Sequence, residues 1–406
     1  ILDYLLILIL KGLKMLSSNF SSWPSYNKQE IGAVSEVLAS NQVNYWTGKQ
    51  CRDFELEFAH FFNSAYAVSL ANGTLALDLA LKALDIKSGD EVIITSRTFI
   101  ASVSSVINVG ATPIFSDVDL DSQNITPKSI SKKITKNTKA ILCVHLAGWP
   151  CEMDEIIDIA NEFDLYVIED CSQAHGAKYK GKSVGSIGDI GCWSFCQDKI
   201  MTTGGEGGMV TTNDEILWRK MWAYKDHGKS YEAVYEREIQ KGFQWLHESF
   251  GSNYRMTEMQ AVIGRIQIKN MPDWHNKRLS NANQIWNTAR QCKVLNVPDI
   301  PCYIEHAAYK CYVFVNEMQL KVNWSRDRII EEIRELGVPC FSGSCSEVYL
   351  EKAFKDTKFI PKERLKNAKE LGETSLMFLV HPTLTEDHIQ QTCDAILSVM
   401  KRATKK

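Results

Sequence analysis

A strong net charge, a long apolar run and a zinc-binding cysteine pattern are all missing from this sequence. The formal net charge is −3 over 406 residues, and no basic tract is long enough to attract nucleic acid. The twelve cysteines are scattered, and none of them forms the C-x-x-C spacing of a zinc site. We therefore expect no nucleic-acid partner, no metal, and free thiols in a reducing, cytoplasmic compartment.

Internal repeats and low-complexity linkers are absent as well, and the apolar start of the chain is too short for a membrane span. Residues 1–10 are strongly apolar but include Asp3, whereas a span needs roughly 20 residues. A basic leader and a small-residue cleavage site are both missing, so no secretory signal is predicted. We expect residues 1–14 to be a non-native or disordered extension, and an amphipathic helix that continues through Lys14 is the alternative.

Apolar runs and helical patterns alternate along the rest of the chain. Strand-like runs occupy residues 66–70, 91–95, 113–118, 140–145, 165–170, 191–195 and 208–212. Helical patterns such as that of residues 152–163 separate them. This alternation predicts an α/β fold with a largely parallel sheet.

The chain is long enough for two domains, with 45% hydrophobic residues to bury. We predict a large domain at residues 15–270 and a smaller C-terminal α+β domain at residues 271–406. A long helix that begins near Thr257 leads from one to the other. Thr383 and Glu386 have the spacing of a capping box and predict the start of the last helix.

Lys199 and Asp170 together indicate a cofactor site in the large domain. Lys199 lies between an apolar run and the glycine cluster at residues 204–208, and desolvation in such a cleft makes a lysine nucleophilic. Asp170 ends the run at residues 165–170, and α/β sheets bind ligands at strand ends of this kind. Pyridoxal phosphate requires both groups, an amine for its aldehyde and an anion beside its ring nitrogen. Alone, either residue is equally explained as a surface lysine or an N-cap aspartate.

Three further features fit the same ligand, and each has a plainer alternative. Asn72, Gly73 and Thr74 stand between a strand and a helix, where backbone amides bind phosphate, although they also form a good N-cap. Phe99 follows a strand and is able to stack on the pyridine ring, or to belong to the core. Gln173 is placed to reach the ring hydroxyl, or to be a solvated loop amide.

Six segments of the sequence resemble the motifs of one protein family in content and order. They are residues 72–74, 98–99, 144–146, 169–177, 194–209 and 251–256. The order is similar to that of the DegT/DnrJ/EryC1/StrS family of pyridoxal phosphate-dependent nucleotide-sugar aminotransferases, and the resemblance extends from about residue 23 to the C-terminus. It implies a fold-type I aminotransferase that works as a homodimer with shared active sites.

The resemblance also implies a role for each matching residue. Lys199 corresponds to the catalytic lysine that attaches the cofactor, and Asp170 to the carboxylate beside the ring nitrogen. Gln173 corresponds to the neighbour of the ring oxygen, and Phe99 to the aromatic that stacks on the ring. The phosphate ligands that it implies are Gly73, Thr74, Ser194 and, from the other subunit, Asn253.

The expected reaction moves an amino group from glutamate to a nucleotide-linked keto sugar. The segment at residues 343–347 is most similar to members that aminate UDP-linked 4-keto-6-deoxy-N-acetylhexosamines on the way to diacetamido sugars. A dTDP- or GDP-linked keto-deoxyhexose is the alternative. Residues 309–313, where members often carry a histidine, and residues 340–350 depart from the commoner family sequences in regions that help to form the sugar pocket. Relatives that dehydrate sugars replace the catalytic lysine with histidine, and Lys199 argues against that outcome.

A second motif competes with this interpretation. Residues 176–183 match the P-loop pattern G-x-x-x-x-G-K-S of nucleotide-binding proteins. A P-loop requires a helix directly after its Lys-Ser pair, yet residues 184–189 contain two glycines and no helical period. We expect a hairpin or a loop there.

Overall fold

A large sheet forms the centre of the N-terminal part of the computed structural model, which describes residues 20–238 and 242–405. The extension predicted for residues 1–14 lies outside the described residues. The strands of this part are β1 (Tyr66–Leu70), β2 (Glu91–Thr95), β3 (Thr112–Ser116), β4 (Thr138–Val144), β5 (Tyr166–Asp170), β6 (Lys178–Tyr179), β7 (Lys182–Ser183), β8 (Ile190–Ser194) and β9 (Gly208–Thr212). Seven of them form one sheet in the order β1-β9-β8-β5-β4-β2-β3.

The predicted mostly parallel sheet is confirmed. The pairs β2–β3, β2–β4, β4–β5 and β5–β8 are parallel, and β1–β9 and β8–β9 are antiparallel. Its strands are continuous apolar runs because helices cover both faces; in β2, for example, Val92, Ile93 and Ile94 are fully buried. Three of the predicted runs coincide with β1, β2 and β9, and the others differ from the observed strands by one or two residues at their ends.

Short helices connect these strands and pack on the sheet. They are α1 (Lys28–Ala39), α2 (Gln50–Phe61), α3 (Gly73–Ala83), α4 (Ile100–Asn108), α5 (Pro127–Ser131), α6 (Met153–Phe163), α7 (Glu215–Tyr224) and α8 (Tyr231–Tyr235). Helix α3 packs on β8 and β9, and α4 packs on α3. These contacts bring the N-termini of α3 and α4 to the edge of the sheet where β5 and β8 end.

A long helix, α9 (Glu258–Ala289), carries the chain into its C-terminal part. Its predicted start is confirmed, because the Thr257 side chain caps the helix and accepts from the backbone N–H of Gln260. The predicted domain boundary at residue 270 falls inside α9, and the division into two domains stays a prediction. Within the described ranges, no helix combines the length and apolarity needed to cross a bilayer.

A four-stranded antiparallel sheet forms the C-terminal part, in the order β10-β12-β14-β13. The strands of this sheet are β10 (Leu295–Asn296), β12 (Cys311–Val315), β13 (Cys340–Phe341) and β14 (Ser375–Phe378). The strand β11 (Ile304–Glu305) pairs instead with β6. The helices of this part are α10 (Arg326–Glu335), α11 (Lys366–Thr374) and α12 (Glu386–Ala403). The mixture of strands and helices agrees with the α+β character predicted for this region.

The predicted capping box of the last helix is wrong in its register. The N-cap of α12 is Thr385, whose hydroxyl accepts from the backbone N–H of His388. Thr383, the predicted N-cap, instead donates its hydroxyl hydrogen to the carbonyl oxygen of Ser22 at 2.9 Å. Two threonines two residues apart offer competing caps, and this tertiary contact of Thr383 is not visible in the sequence.

The P-loop-like segment forms a hairpin, as expected. Strands β6 and β7 pair antiparallel, with Lys178 opposite Ser183. Lys180 and Gly181 form the turn with φ angles of 48° and 79°, a left-handed pair that matches the twist of a tight hairpin. Residues 184–189 contain no helix, so the helix dipole and amides that a P-loop aims at phosphates are missing at this position.

Candidate active site

The Asp170 carboxylate is held at the C-terminal end of β5 by donors from two directions. Ser102 of α4 donates its hydroxyl hydrogen to Oδ2 at 2.9 Å, and the backbone N–H of Ser172 donates to Oδ1 at 3.1 Å. The Ser102 hydroxyl also lies 2.9 Å from that of Thr98. Asp170 is only 5% exposed, so its carboxylate is a buried and fixed anion. It does not cap a helix, and the N-cap alternative is wrong.

Phe99 lies at the start of α4, one residue after Thr98. It is 69% exposed, so the alternative that it belongs to the core is wrong. A large aromatic side chain left in solvent beside a buried carboxylate is suited to cover a planar ring. That role stays a prediction.

The N-terminus of α3 is pressed against the end of β8. A Cβ atom on Gly73 would lie 2.5 Å from Cβ of Ser194, and one on Gly208 would lie 2.3 Å from the carbonyl oxygen of Asn72. Only glycine fits at both positions. The Asn72 side chain caps α3 by accepting from Leu75 N–H at 3.0 Å, so the N-cap interpretation is confirmed. The phosphate-binding role of residues 72–74 stays a prediction.

The close approach brings Thr74 and Ser194 to the same place. Thr74 is exposed in the first turn of α3, and the Ser194 hydroxyl accepts from Cys196 N–H at 3.3 Å. The first backbone N–H groups of a helix have no partner within the helix and favour an anion. Hydroxyl groups beside them add further donors, so this end of α3 suits a phosphate.

Gln173 is buried and makes a specific backbone contact. Its Oε1 accepts from the backbone N–H of Ala147 at 2.9 Å, and the residue is 8% exposed. The alternative of a solvated loop amide is therefore wrong. Ala147 has a φ of 57° in the turn after β4, and the Gln173 contact stabilises this left-handed residue.

Lys199 extends from the loop between β8 and β9 into a partly buried position. Its side chain is 17% exposed, and Nζ lies 3.8 Å from Oδ1 of Asp198. Nζ also lies 5.4 Å from the ring centroid of Tyr309. The indole N–H of Trp23 donates to the Lys199 carbonyl at 2.7 Å, which anchors the loop. This lysine is not a freely solvated surface residue.

Asn253 lies in a separate, anchored loop. It forms an isolated antiparallel bridge with Asp226, and its side chain is exposed. Buried Asp226 fixes the loop by accepting from Trp46 at 2.6 Å and from Arg255 at 2.5 Å. The carbonyl of Tyr254, the neighbour of Asn253, accepts from Ala71 N–H at 2.9 Å, next to residues 72–74. The assignment of Asn253 to the site of a neighbouring subunit stays a prediction.

Sequence reasoning missed a buried cluster behind the site. The Glu169 carboxylate accepts from the backbone N–H groups of Gly185, Ile187 and Gly188 at 2.7 to 2.9 Å, and it pairs with His145 Nε2 at 2.9 Å. Burial alone would raise the pKa of Glu169, but His145 and the backbone donors together lower it. These contacts bind β4, β5 and the loop at residues 185–188 to one another and hold Asp170 in place.

The same cluster contains residue types that bind metal ions, but most of the atoms that would bind a metal already make hydrogen bonds. His145, Glu169 and Cys171 place ligand atoms within 4.8 Å of one another. Both carboxylate oxygens of Glu169 already accept two hydrogen bonds each. The His145 Nδ1 atom accepts from Cys151 N–H at 3.0 Å. The group is therefore better explained as a structural clasp, by which we mean the hydrogen bonds of Glu169 that join β4, β5 and the loop at residues 185–188.

Glu169→Gln is expected to lower the free energy of unfolding by about 3 to 5 kcal/mol, the cost of leaving a buried partner unmatched. Because the folded pKa of Glu169 is lowered, its stabilising contribution is present above the unfolded pKa of about 4.3 and is lost as the pH falls through the folded value. Urea unfolding of the variant and the wild type at pH 7, and at a series of pH values below about 4.3, measures both effects. The exposed Glu363→Gln serves as the control, and equal stability of the two variants at pH 7 would refute the clasp.

Together the residues fit pyridoxal phosphate. The buried carboxylate of Asp170, the exposed ring of Phe99 and the partly buried amine of Lys199 meet the needs of its ring nitrogen, ring face and aldehyde. The glycine-tight start of α3 beside Ser194 offers donors for its phosphate. These residues lie at or just after the C-terminal ends of four strands, β1, β2, β5 and β8.

A model of the DegT/DnrJ/EryC1/StrS aminotransferase family matches residues 24–397. The crystal structure of an aminotransferase from Psychrobacter cryohalolentis is 65% identical and has a TM-score of 0.93, with 94% of this chain and 99% of that chain covered. The GDP-perosamine synthase of Escherichia coli O157:H7 is 44% identical over 255 residues, 63% of this chain and 67% of that protein.

A UDP-N-acetyl-3-dehydro-alpha-D-glucosamine 3-aminotransferase from Acidithiobacillus ferrooxidans is 38% identical over 287 residues, which are 70% of this chain and 73% of that protein. The names of the last two relatives contain different nucleotides, GDP and UDP, so similarity to them does not single out one substrate. The match of the family model covers nearly the whole described chain. The chain therefore belongs to the DegT/DnrJ/EryC1/StrS aminotransferase family, whose enzymes use pyridoxal phosphate.

Proposed function

We propose that this enzyme transfers the amino group of glutamate to a nucleotide-linked keto sugar, with pyridoxal phosphate attached to Lys199. The observation that carries the proposal is the position of Asp170 and Ser194 at the ends of the neighbouring strands β5 and β8, with Phe99 after β2 and Lys199 in the loop after β8. When bound, pyridoxal phosphate supplies an electron sink that lets a hydrogen leave the donor's α-carbon as a proton. Glutamate becomes 2-oxoglutarate, and the keto sugar becomes an amino sugar.

Each side chain of the site has a separate role in this reaction. The Lys199 amine holds the cofactor aldehyde and moves the proton at the reacting carbon. Buried Asp170 keeps a proton on the ring nitrogen, and Phe99 excludes water from one face of the ring. The start of α3 and Ser194 bind the phosphate. Gln173, whose Oε1 accepts from Ala147 N–H, would hold the ring oxygen of the cofactor through its side-chain amide.

For the acceptor we propose a UDP-linked 4-keto-6-deoxy-N-acetylhexosamine. The similarity of residues 343–347 to members with such substrates motivates this choice, and the contacts of the segment connect it with residues near Phe99. The Tyr312 hydroxyl accepts from Ser344 N–H at 2.9 Å, and the guanidinium of buried Arg97 lies 5.5 Å from the Tyr312 ring centroid. Because Arg97 is two residues before Phe99, these contacts connect residues 343–347 with the part of the site that contains Phe99.

A GDP-linked keto-deoxyhexose is the second candidate, because the relative with 44% identity is named GDP-perosamine synthase. The deciding assay is a panel of UDP-, GDP- and dTDP-linked 3-keto and 4-keto sugars offered with glutamate, with the amino sugar identified by mass spectrometry and NMR. We expect the UDP-linked 4-keto N-acetyl sugar to have the highest kcat/KM. A clear preference for the GDP-linked sugar would replace the first candidate by the second.

We further propose a cytoplasmic homodimer in which Asn253 donates to the cofactor phosphate bound by the other subunit. The exposure of Asn253 and the anchoring of its loop through Asp226 support this arrangement. All twelve cysteines are free thiols, which suits a reducing compartment.

Asn253→Ala should weaken retention of the cofactor by about 10- to 100-fold, since a hydrogen bond to a charged group contributes about 1.5 to 3 kcal/mol. Dialysis followed by measurement of bound cofactor checks this loss. At a cofactor concentration too low to fill the Asn253→Ala sites, mixing Lys199→Ala chains with Asn253→Ala chains, after dissociation and reassociation, should restore activity, because every mixed dimer contains one wild-type site. If mixed dimers form from folded parents and no activity returns, Asn253 does not act across the interface.

A further inference from the structure

A group of cationic side chains surrounds Tyr309 next to Lys199, and the mechanism above uses only one of them. The Nζ atoms of Lys199 and Lys310 lie 5.4 and 4.7 Å from the Tyr309 ring centroid. The Arg278 Nη1 donates to the Tyr309 carbonyl oxygen at 3.4 Å. Three cations from the β8–β9 loop, α9 and the segment before β12 therefore meet at one residue.

The protein supplies too few anions for this group. Asp198 lies 3.8 Å from Lys199 Nζ and accepts from the Tyr309 hydroxyl. Among the described residues, Asp198 is the one carboxylate whose charge raises the pKa of Lys310. No described carboxylate raises the pKa of Arg278. Positive charge therefore exceeds negative charge at this place.

Burial makes the imbalance costly. Arg278 is 1% exposed, and its Nε and Nη2 donate to no described atom. Burial lowers the pKa of Arg278 to about 9. Burial also lowers the pKa of Lys310 to about 8; Asp198 opposes this shift, whereas Arg278 and Lys199 add to it. Unmatched buried donors and cations are unfavourable unless a ligand pairs with them.

Two buried histidines beside the group stay neutral. Burial, with repulsion from Lys199 and Arg278, lowers the pKa of His175 to about 3. Burial, with repulsion from Arg278 and Lys310, does the same for His381. Both histidines are therefore uncharged, and their lowered pKa values reflect burial and the positive charge of the neighbouring lysine and arginine side chains.

We propose that Lys310 binds a carboxylate of the amino donor, and that Arg278 acts as a positioning residue behind it. This inference rests on the proposed function. Lys310 is partly exposed and reaches the ligand, whereas fully buried Arg278 contributes its charge and its hold on the Tyr309 backbone. A carboxylate fits the position because the donor's α-carboxylate is one bond from the carbon that reacts at Lys199.

Other anions of the substrates fit less well. The diphosphate of a nucleotide sugar is separated from the reacting carbon by the sugar ring, which places it farther from Lys199. A carboxylate on the sugar itself, as in a uronic acid, is the remaining source of the same chemistry. The two half-reactions separate these sources, because glutamate takes part in one and the sugar in the other.

Lys310→Met should raise the KM for glutamate in the first half-reaction by about 10- to 100-fold, the range for losing a charged hydrogen bond. Transfer from the aminated cofactor to the keto sugar should change less than about twofold. Lys310→Arg should recover most of the glutamate KM, because it keeps the charge. Binding of glutarate to the holoenzyme, measured by calorimetry, should weaken by the same factor in Lys310→Met and recover in Lys310→Arg.

The exposed Lys401→Met, which removes one positive charge elsewhere in the C-terminal part, is the matched control and should leave both half-reactions unchanged. Unaltered glutarate binding in Lys310→Met, or an equal loss in the sugar half-reaction, would overturn the proposal. A wild-type enzyme that accepts glutamate but aminates no sugar of the panel would contradict the proposed acceptor, and the glutamate and glutarate measurements would still decide the role of Lys310.

Discussion

Lys199→Ala is expected to bind pyridoxal phosphate and to lose amino transfer by a factor of about 10² to 10⁴ or more, because the amine carries the proton between the reacting atoms. Binding should persist through Asp170 and the phosphate site at the start of α3. Cofactor content after gel filtration and the rate of each half-reaction measure the two properties separately. An alanine variant with turnover near that of the wild type would assign proton transfer to another group.

The loss of activity should result from the missing amine and not from a change in the structure of the loop. Lys199 is connected to the fold through its backbone, where its N–H donates to Cys196 at 3.0 Å and its carbonyl accepts from Trp23. Alanine keeps both contacts. The variant should therefore unfold at the same denaturant concentration as the wild type, and a large drop in stability would make its low activity uninformative about chemistry.

Asp170→Asn should have the second largest effect. A nearby carboxylate shifts the pKa of a basic group by about 1 to 3 units, and each unit is worth about 1.4 kcal/mol. Without it the ring nitrogen loses its proton, so amino transfer should slow by about 10- to 1000-fold. The asparagine oxygen still accepts from Ser102, so the cofactor should remain bound.

Single-turnover spectroscopy with glutamate tests this expectation directly. The variant should attach the cofactor at Lys199 at a near-normal rate and then convert it slowly. Asp299→Asn, at a carboxylate whose side chain is 97% exposed, is the control for loss of one negative charge. Wild-type conversion rates in Asp170→Asn would show that another group protonates the ring.

Much of the fold was predictable because its causes are local. Buried parallel strands read as short apolar runs, and β1, β2 and β9 match their predicted bounds. Asp170 was predictable because it ends such a run, and α/β sheets bind ligands at strand ends. The predicted N-cap of α12 was wrong because the choice between Thr383 and Thr385 depends on a distant contact with Ser22.

The supporting residues of the site were not predictable, because they come from distant parts of the chain. Ser102 meets Asp170 across 68 residues, and His145 meets Glu169 across 24. A serine inside a helix carries no signal until the helix is placed against the strand end. The accumulation of cations around Tyr309 has the same origin, since Arg278 and Lys310 are ordinary residues in the sequence and become unusual only through burial.

Reductive trapping followed by peptide mapping tests the central claim most directly. The holoenzyme is treated with borohydride and digested, and the peptide that carries the reduced cofactor is sequenced by mass spectrometry. The account predicts one labelled site, Lys199, and loss of the label when glutamate is added before the borohydride. Labelling at Lys310 or at another lysine, or tightly bound cofactor that cannot be trapped on the protein, would contradict it.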